Sequence, residues 1–295
     1  MSLIKNKKII AWWSGGITSA VTCKLCIDIY GLDACTFIFM DTFNEDEDTY
    51  RFKNDCEKWY GKEIETISAI PGKYNSIEDV WRKNKSLNVA TGAICSSELK
   101  RQVRLDWQKV NDYDHQAFGF EFTLREMKRA FSLKLNYPDT KAIFPLLGLA
   151  LTKKECGEIL REHGIDLPRM YEFGFHNNNC FKTGCVQGGI GYWQKMRDEF
   201  PEKFEKMAAM EHELTDTKGT PVTMLKDQSK EAEATGNKLV FLKPHPDYPQ
   251  LKSLADMKPQ KVEPLFECNG FCSTNDLLDA DEKSAAQMQL NFEME

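Results

Sequence analysis

Apolar and amphipathic stretches alternate along the first 120 residues in a pattern typical of an α/β domain. Three short apolar runs have the length and composition of buried strands: Lys8–Trp13, Ala34–Met40 and, more weakly, Glu65–Ile70. Two stretches between them predict helices, each followed by a glycine suited to end it: Thr18–Tyr30 before Gly31, and a helix that opens within 44–48 and runs to Tyr60 before Gly61.

Strand, helix and strand at this spacing predict parallel pairing with right-handed crossovers. The expected fold is therefore α/β, a parallel twisted sheet with helices on both faces. Ligands of such sheets bind beyond the carboxyl ends of the strands. Ser14-Gly15-Gly16 and Asp41 both fall at that edge, so the architecture singles out two short segments before any motif is considered.

The rest of the chain is less regular. Further helices are expected within 96–110, 124–134 and 192–214, and Thr152 with Glu155 has the form of a capping box. Residues 171–191 are rich in Gly and Asn and predict an irregular segment, and 215–237 predict a polar surface excursion. We therefore expect a nucleotide-binding α/β domain at 1–150, a smaller, helical and Cys-rich metal or redox region at 151–275, and an acidic tail at 276–295.

Composition narrows the class of protein. With 41% hydrophobic residues the chain can bury a core, and its net charge of −6 disfavours bulk attraction to nucleic acid, although a local basic groove remains open. No apolar stretch approaches the roughly 20 residues of a membrane span, and the N-terminus lacks the pattern of a secretory signal. We expect a cytoplasmic protein, whose ten cysteines are free, catalytic or metal-bound rather than paired.

The segment from Trp12 to Ser19 has the features of a phosphate-binding loop, because it follows a buried strand and opens a helix. Two glycines let the backbone turn tightly and present N–H groups to an anion. The hydroxyls of Ser14, Thr18 and Ser19 add donors, and the helix N-terminus adds partial positive charge. We expect Ser14, Gly15, Gly16, Thr18 and Ser19 to bind a nucleotide's phosphates.

Ser-Gly-Gly-x-x-Ser after the first strand resembles the signature of the PP-loop ATP pyrophosphatases, or adenine nucleotide α-hydrolases. The family commonly has Lys-Asp where this chain has Ile17-Thr18, so a charged contact to phosphate must come from elsewhere. The resemblance implies a Rossmann-like PP-loop fold, ATP or another adenine nucleotide, and Mg²⁺.

Further blocks are similar to the phosphoadenylyl-sulfate (PAPS) reductase-like branch of that family. They are Asp41-Thr42-Phe43 with Glu47-Asp48-Thr49, Cys95 to Lys100, and the looser set Gly119, Glu126 and Arg129. The combination is similar to the short PAPS reductase-like proteins of phage genomes. By this resemblance Asp41, Lys100 and Arg129 join the nucleotide site, Asp41 as a ligand of Mg²⁺ or a contact to the ribose.

Two close cysteine pairs lie on predicted turns, Cys180 with Cys185 and Cys268 with Cys272. Four such thiolates suit a tetrahedral zinc site or an iron–sulfur cluster. The resemblance to adenylyl-sulfate reductases adds Cys95 and leaves two arrangements open. In one, Cys95, Cys180 and Cys185 bind a four-iron cluster with Cys268 or Cys272, for which we take Cys272. In the other, Cys268 and Cys272 are a mobile redox pair, with Cys268 as the nucleophile.

The remaining candidates have ordinary explanations beside functional ones. Five cysteines lie inside predicted elements and are expected to be small core residues: Cys23, Cys26, Cys35, Cys56 and Cys156. Two basic clusters suit sulfate, phosphate or nucleic acid, or are solvated helix faces: Lys100, Arg101 and Arg104, and Arg125, Lys128 and Arg129. Trp12 and Trp13 could stack on adenine, but strand aromatics usually fill cores. His176 could orient its loop or touch the metal.

Three functions compete. In the first, an enzyme binds ATP, adenylylates an acceptor such as a base in RNA or DNA, and transfers sulfur with the cysteine site. In the second, a sulfonucleotide reductase uses Cys268 to attack the sulfur of adenylyl sulfate or PAPS, and Cys272 or a thioredoxin-like reductant resolves the product. In the third, the protein binds nucleotide without turnover. None of the three involves a membrane.

Overall fold

The computed structural model describes residues 7–89, 92–178 and 180–265. The strands are β1 (Ile9–Trp13), β2 (Cys35–Met40), β3 (Ile64–Ile67), β4 (Asn88–Val89), β5 (Gly92–Ala93), β6 (His115–Ala117), β7 (Ala142–Ile143), β8 (Leu225–Lys226), β9 (Leu239–Phe241) and β10 (Lys252–Ser253). The helices are α1 (Ile17–Tyr30), α2 (Glu47–Tyr60), α3 (Ile77–Asn84), α4 (Ile94–Ser96), α5 (Gln102–Val110), α6 (Leu124–Asn136), α7 (Pro145–Gly148), α8 (Lys153–Glu162), α9 (Arg169–Glu172), α10 (Ile190–Glu199), α11 (Pro201–Lys218) and α12 (Lys230–Thr235). A π-helical turn, Ser97–Arg101, joins α4 to α5.

The main sheet has five parallel strands in the order β3-β2-β1-β6-β7. The chain builds outward from β1 through β2 to β3, and then returns to add β6 on the other side of β1. The strand order therefore reverses between β1 and β6, which is where open α/β sheets bind ligands. The loops after β1, β2 and β6 meet at this edge, and the predicted α/β fold is confirmed.

Both faces of the sheet are covered, because apolar residues run continuously along β1 and β2. On β1, Ile9, Ala11 and Trp13 pack with α1, α2 and α8, whereas Ile10 and Trp12 pack with α5 and α6. This is the period of two expected of a strand buried on both sides. Both tryptophans are buried, and the indole N–H of Trp12 donates to Gln116 Oε1 at 2.7 Å. They fill the core and are not exposed for stacking on adenine.

A further core lies beside the main sheet and combines residues 70–99 with residues 170–254. Helices α3, α10 and α11 pack there against a small sheet of order β10-β9-β8. Glu211 of α11 is fully buried in it and accepts from the backbone amides of Met224 and Leu242 at 2.7 and 2.6 Å. Part of the stretch expected to be a polar excursion is therefore packed: α11 continues to Lys218, and β8 and α12 follow.

Several local features predicted from the sequence are formed in the structure. The capping box of Thr152 and Glu155 is formed at the start of α8, and Pro201 begins α11 directly after α10. The five cysteines expected in the core are buried, and burial raises the pKa of Cys35 to about 11 and of Cys56 to about 12. Among the described residues, no helix has the length and apolar character needed to cross a membrane.

Candidate functional site

The loop after β1 turns tightly into α1, and we call Ser14–Ser19 the phosphate loop. Gly15 has φ +87°, a backbone conformation that residues other than glycine rarely adopt. Ser19 Oγ accepts from the amide of Ser14 at 3.0 Å and donates to Gly16 O at 2.8 Å. These bonds hold the loop in a closed turn at the N-terminus of a 14-residue helix, so its shape is set before any anion binds.

Buried polar atoms at the phosphate loop lack a hydrogen-bond partner within the described part of the chain. They include Thr18 Oγ1 and Oδ1 of Asn178, whose amide lies against the loop. The Tyr171 hydroxyl accepts a long hydrogen bond of 3.4 Å from the Ile17 amide. Buried polar groups are nearly always satisfied. The unsatisfied Thr18 hydroxyl therefore fits a loop that receives a polar ligand such as phosphate.

The loop after β6 packs directly on the first turn of α1. A Cβ on Gly119 would lie 2.7 Å from Ser19 N and 2.9 Å from the carbonyl carbon of Thr18, both of them backbone atoms. Only glycine allows this approach. It closes one side of the crevice between β1 and β6, next to the phosphate loop.

A second wall of the site is the segment Asp41–Asp46 after β2. Asp41 is buried, and its carboxylate accepts from the Phe43 amide at 2.7 Å and from the Tyr50 hydroxyl at 3.0 Å. Burial raises the pKa of Asp41, opposed mainly by the hydrogen bond from Phe43. A cation bound here would favour the ionised form, so this carboxylate fits the Mg²⁺ ligand that the sequence predicts.

Residues 177–178 and 180–189, which we call the cysteine loop, are hydrogen-bonded to both of these walls. The side-chain amide of Asn178 donates to Gly15 O at 2.9 Å and to Thr49 Oγ1 at 3.0 Å. Asn44 O accepts from the amides of Phe181 and Lys182 at 3.0 and 3.1 Å. The cysteine loop and the phosphate loop therefore form one site at the carboxyl edge of the sheet.

Cys180 enters this site directly, because its Sγ lies 3.9 Å from the hydroxyl oxygen of Thr42, the residue after Asp41. Cys95, Cys180 and Cys185 share one core and are each at most 9% exposed. The Tyr192 hydroxyl accepts from the Cys185 amide, and burial together with the thiols of Cys185 and Cys180 raises the pKa of Tyr192. Cys180 and Cys185 thus both lie near Tyr192, and Cys95 belongs to the same hydrophobic core.

These sulfurs suit more than one kind of metal centre. Ligand sulfurs of one tetrahedral zinc ion lie about 3.8 Å apart, given Zn–S bonds of about 2.3 Å. In the described part of the chain, the group of three such side chains whose ligand atoms all lie within 4.8 Å is a different one, Asp216, His245 and Asp247. Cysteine thiolates are ligands of zinc and of four-iron clusters alike, and in such a cluster each cysteine binds a different iron.

The two basic residues predicted to contact the nucleotide are both buried beside carboxylates. Lys100 Nζ lies 3.5 Å from Glu45 Oε1, and Arg129 donates to both carboxylate oxygens of Glu126 at 2.8 and 2.6 Å. The Arg129 guanidinium also lies 4.5 Å from the ring centroid of Phe120, in the loop after β6. Lys100 therefore flanks the segment after β2, and Arg129 the loop after β6.

The remaining predicted site residues, Cys268 and Cys272, lie outside the described residues, as does the acidic tail at 276–295. The chain before them approaches the site: the amide of Leu265 donates to Asn177 Oδ1 at 2.9 Å. His176 donates from Nε2 to Val262 O at 3.0 Å, so it orients this segment. Arg125 donates to Pro264 O at 3.2 Å. The last described residues thus run between α6 and the cysteine loop.

The sequence predicts only an irregular, Gly- and Asn-rich segment around Asn178, and its motifs do not include Asn44 or Glu45. The side-chain amide of Asn178 joins the cysteine loop to the phosphate loop, and that of Asn44 joins it to the segment after β2 by donating to Thr183 Oγ1 at 2.7 Å. The usable signal was the clustering of asparagines beside glycines and cysteines, because amides satisfy backbone groups that irregular loops leave open.

No model of a known protein family and no curated protein matches this sequence. Among solved structures, the fold is similar to PAPS reductase from Candida auris in a phosphate complex, with TM-score 0.42 and 13% identity over 61% of this chain and 84% of that chain. It is also similar to the U34-tRNA thiolase NcsA from Methanococcus maripaludis with its 4Fe-4S cluster, with TM-score 0.37 and 14% identity over 71% of this chain and 72% of that chain. At these scores and identities, neither similarity carries its neighbour's chemistry to this chain.

Proposed function

We propose that this chain is an enzyme that binds ATP, or another adenine nucleotide, at the phosphate loop and adenylylates an acceptor for sulfur transfer at the cysteine site. The main support is the pair of hydrogen bonds from Asn178 to Gly15 and Thr49, which joins the phosphate loop to the cysteine loop. Because both loops belong to one site, a nucleotide held by the first is adjacent to thiols on the second.

The phosphate loop would hold the β- and γ-phosphates through its backbone amides and the Thr18 hydroxyl. An acceptor oxygen attacks the α-phosphorus, pyrophosphate leaves, and a sulfur nucleophile later displaces AMP. Asp41 would hold Mg²⁺, which neutralises charge on the phosphates. Lys100, buried at the same edge, adds positive charge in place of the family's missing loop lysine. The chain contributes mainly positioning and charge stabilisation.

Cys95, Cys180 and Cys185 would hold a metal centre with Cys272 as the fourth ligand, and Cys268 would be the free nucleophile. We take a four-iron cluster rather than zinc as this centre, because the resemblance that adds Cys95 to the ligand set also implies such a cluster. Such a centre would supply sulfur or redox chemistry when bound. The last described residues run beside the cysteine loop, because the amide of Leu265 donates to Asn177 Oδ1 at 2.9 Å.

We place the acceptor in a cavity of about 1210 Å³ that opens beside the cysteine loop. Its lining includes Val186 and Gly188 of the cysteine loop and carries charges of both signs: Lys226, Lys252, Lys258, Asp227, Glu231 and Asp256. The volume accommodates a nucleotide-sized group, and the lysines can contact phosphate. We therefore propose a base in RNA or DNA as the acceptor, in the first of the three competing functions.

Nucleotide binding is tested by Asn178→Ala, with the exposed Asn136→Ala as the matched control. Loss of two buried hydrogen bonds costs about 1–3 kcal/mol, so we expect a non-hydrolysable ATP analogue to bind roughly 5- to 150-fold more weakly in isothermal titration calorimetry. The control should bind as the wild type does. Equal affinity of both variants would contradict nucleotide binding at the phosphate loop.

The metal centre is tested by iron and acid-labile sulfide analysis of protein purified without oxygen. We expect Cys185→Ala to lose both iron and sulfide. Cys35→Ala, which changes a buried cysteine on β2 of the main sheet, should retain both. Zinc without sulfide in the wild type would refute the cluster assignment.

The reaction is tested by products. AMP and pyrophosphate formed from ATP only with a nucleic-acid acceptor would support the proposal. Sulfite formed from adenylyl sulfate or PAPS with a thioredoxin-like reductant, and abolished by Cys268→Ser, would replace it with the reductase function. Tight nucleotide binding with neither product would indicate a non-catalytic protein.

A further inference from the structure

A cluster of metal-ligating side chains lies away from the sheet edge, where the loop after β9 meets the end of α11. His245 is 4% exposed and comes from the loop, and Asp216 comes from the last turns of the helix. With Asp247, their ligand atoms all lie within 4.8 Å of one another. None of the three is used by the nucleotide or cysteine site.

The His245 ring is held rigidly. It lies between Pro244 and Pro246 in sequence, and the Tyr248 amide closes a turn by donating to His245 O at 3.1 Å. The His212 ring packs against it with centroids 4.6 Å apart, and the Phe241 ring with centroids 5.3 Å apart. His212 itself donates from Nε2 to Lys243 O, so its bond further anchors the loop to α11.

The second observation is an unsatisfied atom. His245 Nε2 is buried and faces Asp216 Oδ1 at 3.2 Å, and among the residues that the structure describes it makes no aligned hydrogen bond. Two N or O ligands of one tetrahedral zinc ion, each about 2.0–2.2 Å from the metal, lie about 3.3–3.5 Å apart. The separation of Nε2 and Oδ1 is thus close to what a shared zinc ion requires.

We propose that His245, Asp216 and Asp247 form a binding site for a divalent transition metal, with zinc as the best fit. One imidazole and two carboxylates match the N and O donors that zinc accepts, and water completes four-coordination. The dication neutralises the two carboxylates, which are solvent-exposed and so leave a path for metal entry. Its role is structural, because it joins the end of α11 to the loop between β9 and β10.

Zinc binding should change which ring nitrogen of His245 carries the proton. The Asp247 amide donates to His245 Nδ1 at 3.2 Å, so in the metal-free ring the proton is on Nε2. Binding at Nε2 requires that proton to leave and Nδ1 to take one up, with no net change in protonation. The long hydrogen bond from Asp247 is given up as the metal–nitrogen bond forms. Zinc should therefore switch the tautomer of His245.

The test uses the full chain, stripped with chelator and titrated with Zn²⁺. Asp216→Asn is the main variant, since Asp216 is exposed and its substitution should not impair folding. Asp198→Asn, another exposed aspartate near the end of a helix, is the control. We expect the wild type and the control to bind one zinc equivalent more than Asp216→Asn, whose affinity at this site falls at least roughly 10- to 100-fold.

Nitrogen-15 spectra of histidine-labelled protein provide the second readout, because the chain has five histidines. The proposal predicts that zinc moves the proton of His245 from Nε2 to Nδ1 in the wild type and not in Asp216→Asn. When cobalt replaces zinc, the ion bound by His245, Asp216 and Asp247 should give no thiolate charge-transfer band. This distinguishes it from an ion bound at the cysteine site. Equal zinc stoichiometry in both Asp variants, or an unchanged His245 tautomer, would overturn the site.

Discussion

Gly119 offers a sharp test of how the crevice beside the phosphate loop is built. In Gly119→Ala the new Cβ meets Ser19 N at 2.7 Å, Ser19 Cα at 2.8 Å and the carbonyl carbon of Thr18 at 2.9 Å. Ordinary contact begins at 3.4 Å, so the two backbones must separate by several tenths of an ångström. Phe118 and Phe120 on either side are fully buried, which leaves the loop after β6 little freedom to move away.

Overpacking of this kind costs about 1–3 kcal/mol. At roughly 2–4 °C per kcal/mol for a chain of this order of size, we expect the melting temperature to fall by roughly 2–12 °C. The displaced first turn of α1 should also weaken binding of an ATP analogue. Circular dichroism melts and calorimetric titration of the same samples measure the two effects.

Gly148→Ala is the matched control, because an added Cβ there has no neighbour within 4 Å. It should leave melting unchanged, or raise it slightly by reducing the entropy of the unfolded chain. The close approach of the two backbones would be refuted if Gly119→Ala melted within about 1 °C of this control, with nucleotide affinity unchanged.

Three further predictions concern buried groups. Burial raises the pKa of Glu211 from 4.5 to about 8, so between these pH values the folded state keeps a proton that the unfolded state loses. The unfolding free energy should therefore fall by up to about 5 kcal/mol as the pH rises through this range. Urea titrations should show a much smaller fall in Glu211→Gln, and an equal fall in both proteins would contradict the assignment. Lys100→Met should lower the unfolding free energy by about 3 kcal/mol, because it leaves the buried Glu45 carboxylate without this partner. The double variant Lys100→Met/Glu45→Gln should recover part of that loss. Strictly additive losses in urea titrations would argue against the ion pair. Burial raises the pKa of Cys56 and of Cys156 to about 12. Iodoacetamide at neutral pH should therefore leave both thiols unmodified in the native protein, as measured by peptide mass mapping. Modification as fast as in denaturant would show that these thiols are not buried.

Local pattern was sufficient to predict much of the main sheet and the phosphate loop. β1, the Ser14-Gly15-Gly16 turn and α1 follow one another directly, so apolar runs and glycines within about 20 residues specify them. The burial of Cys23 and Cys26 on one helix is local in the same sense. The short strands β7 to β10 could not be predicted, because two or three residues are too few to show a period.

The contacts that assemble the site are decided by tertiary structure. Asn178 and Gly15 are 163 residues apart, and Lys100 and Glu45 are 55 apart, so neither neighbourhood predicts the partner. His245 and Asp216 likewise meet only because α11 packs against the loop after β9. Sequence determines which groups are available and which backbone turns they occupy. Only the packing of distant elements determines which buried groups face one another, because the desolvation that makes a buried hydrogen bond or ion pair obligatory exists only in the folded chain.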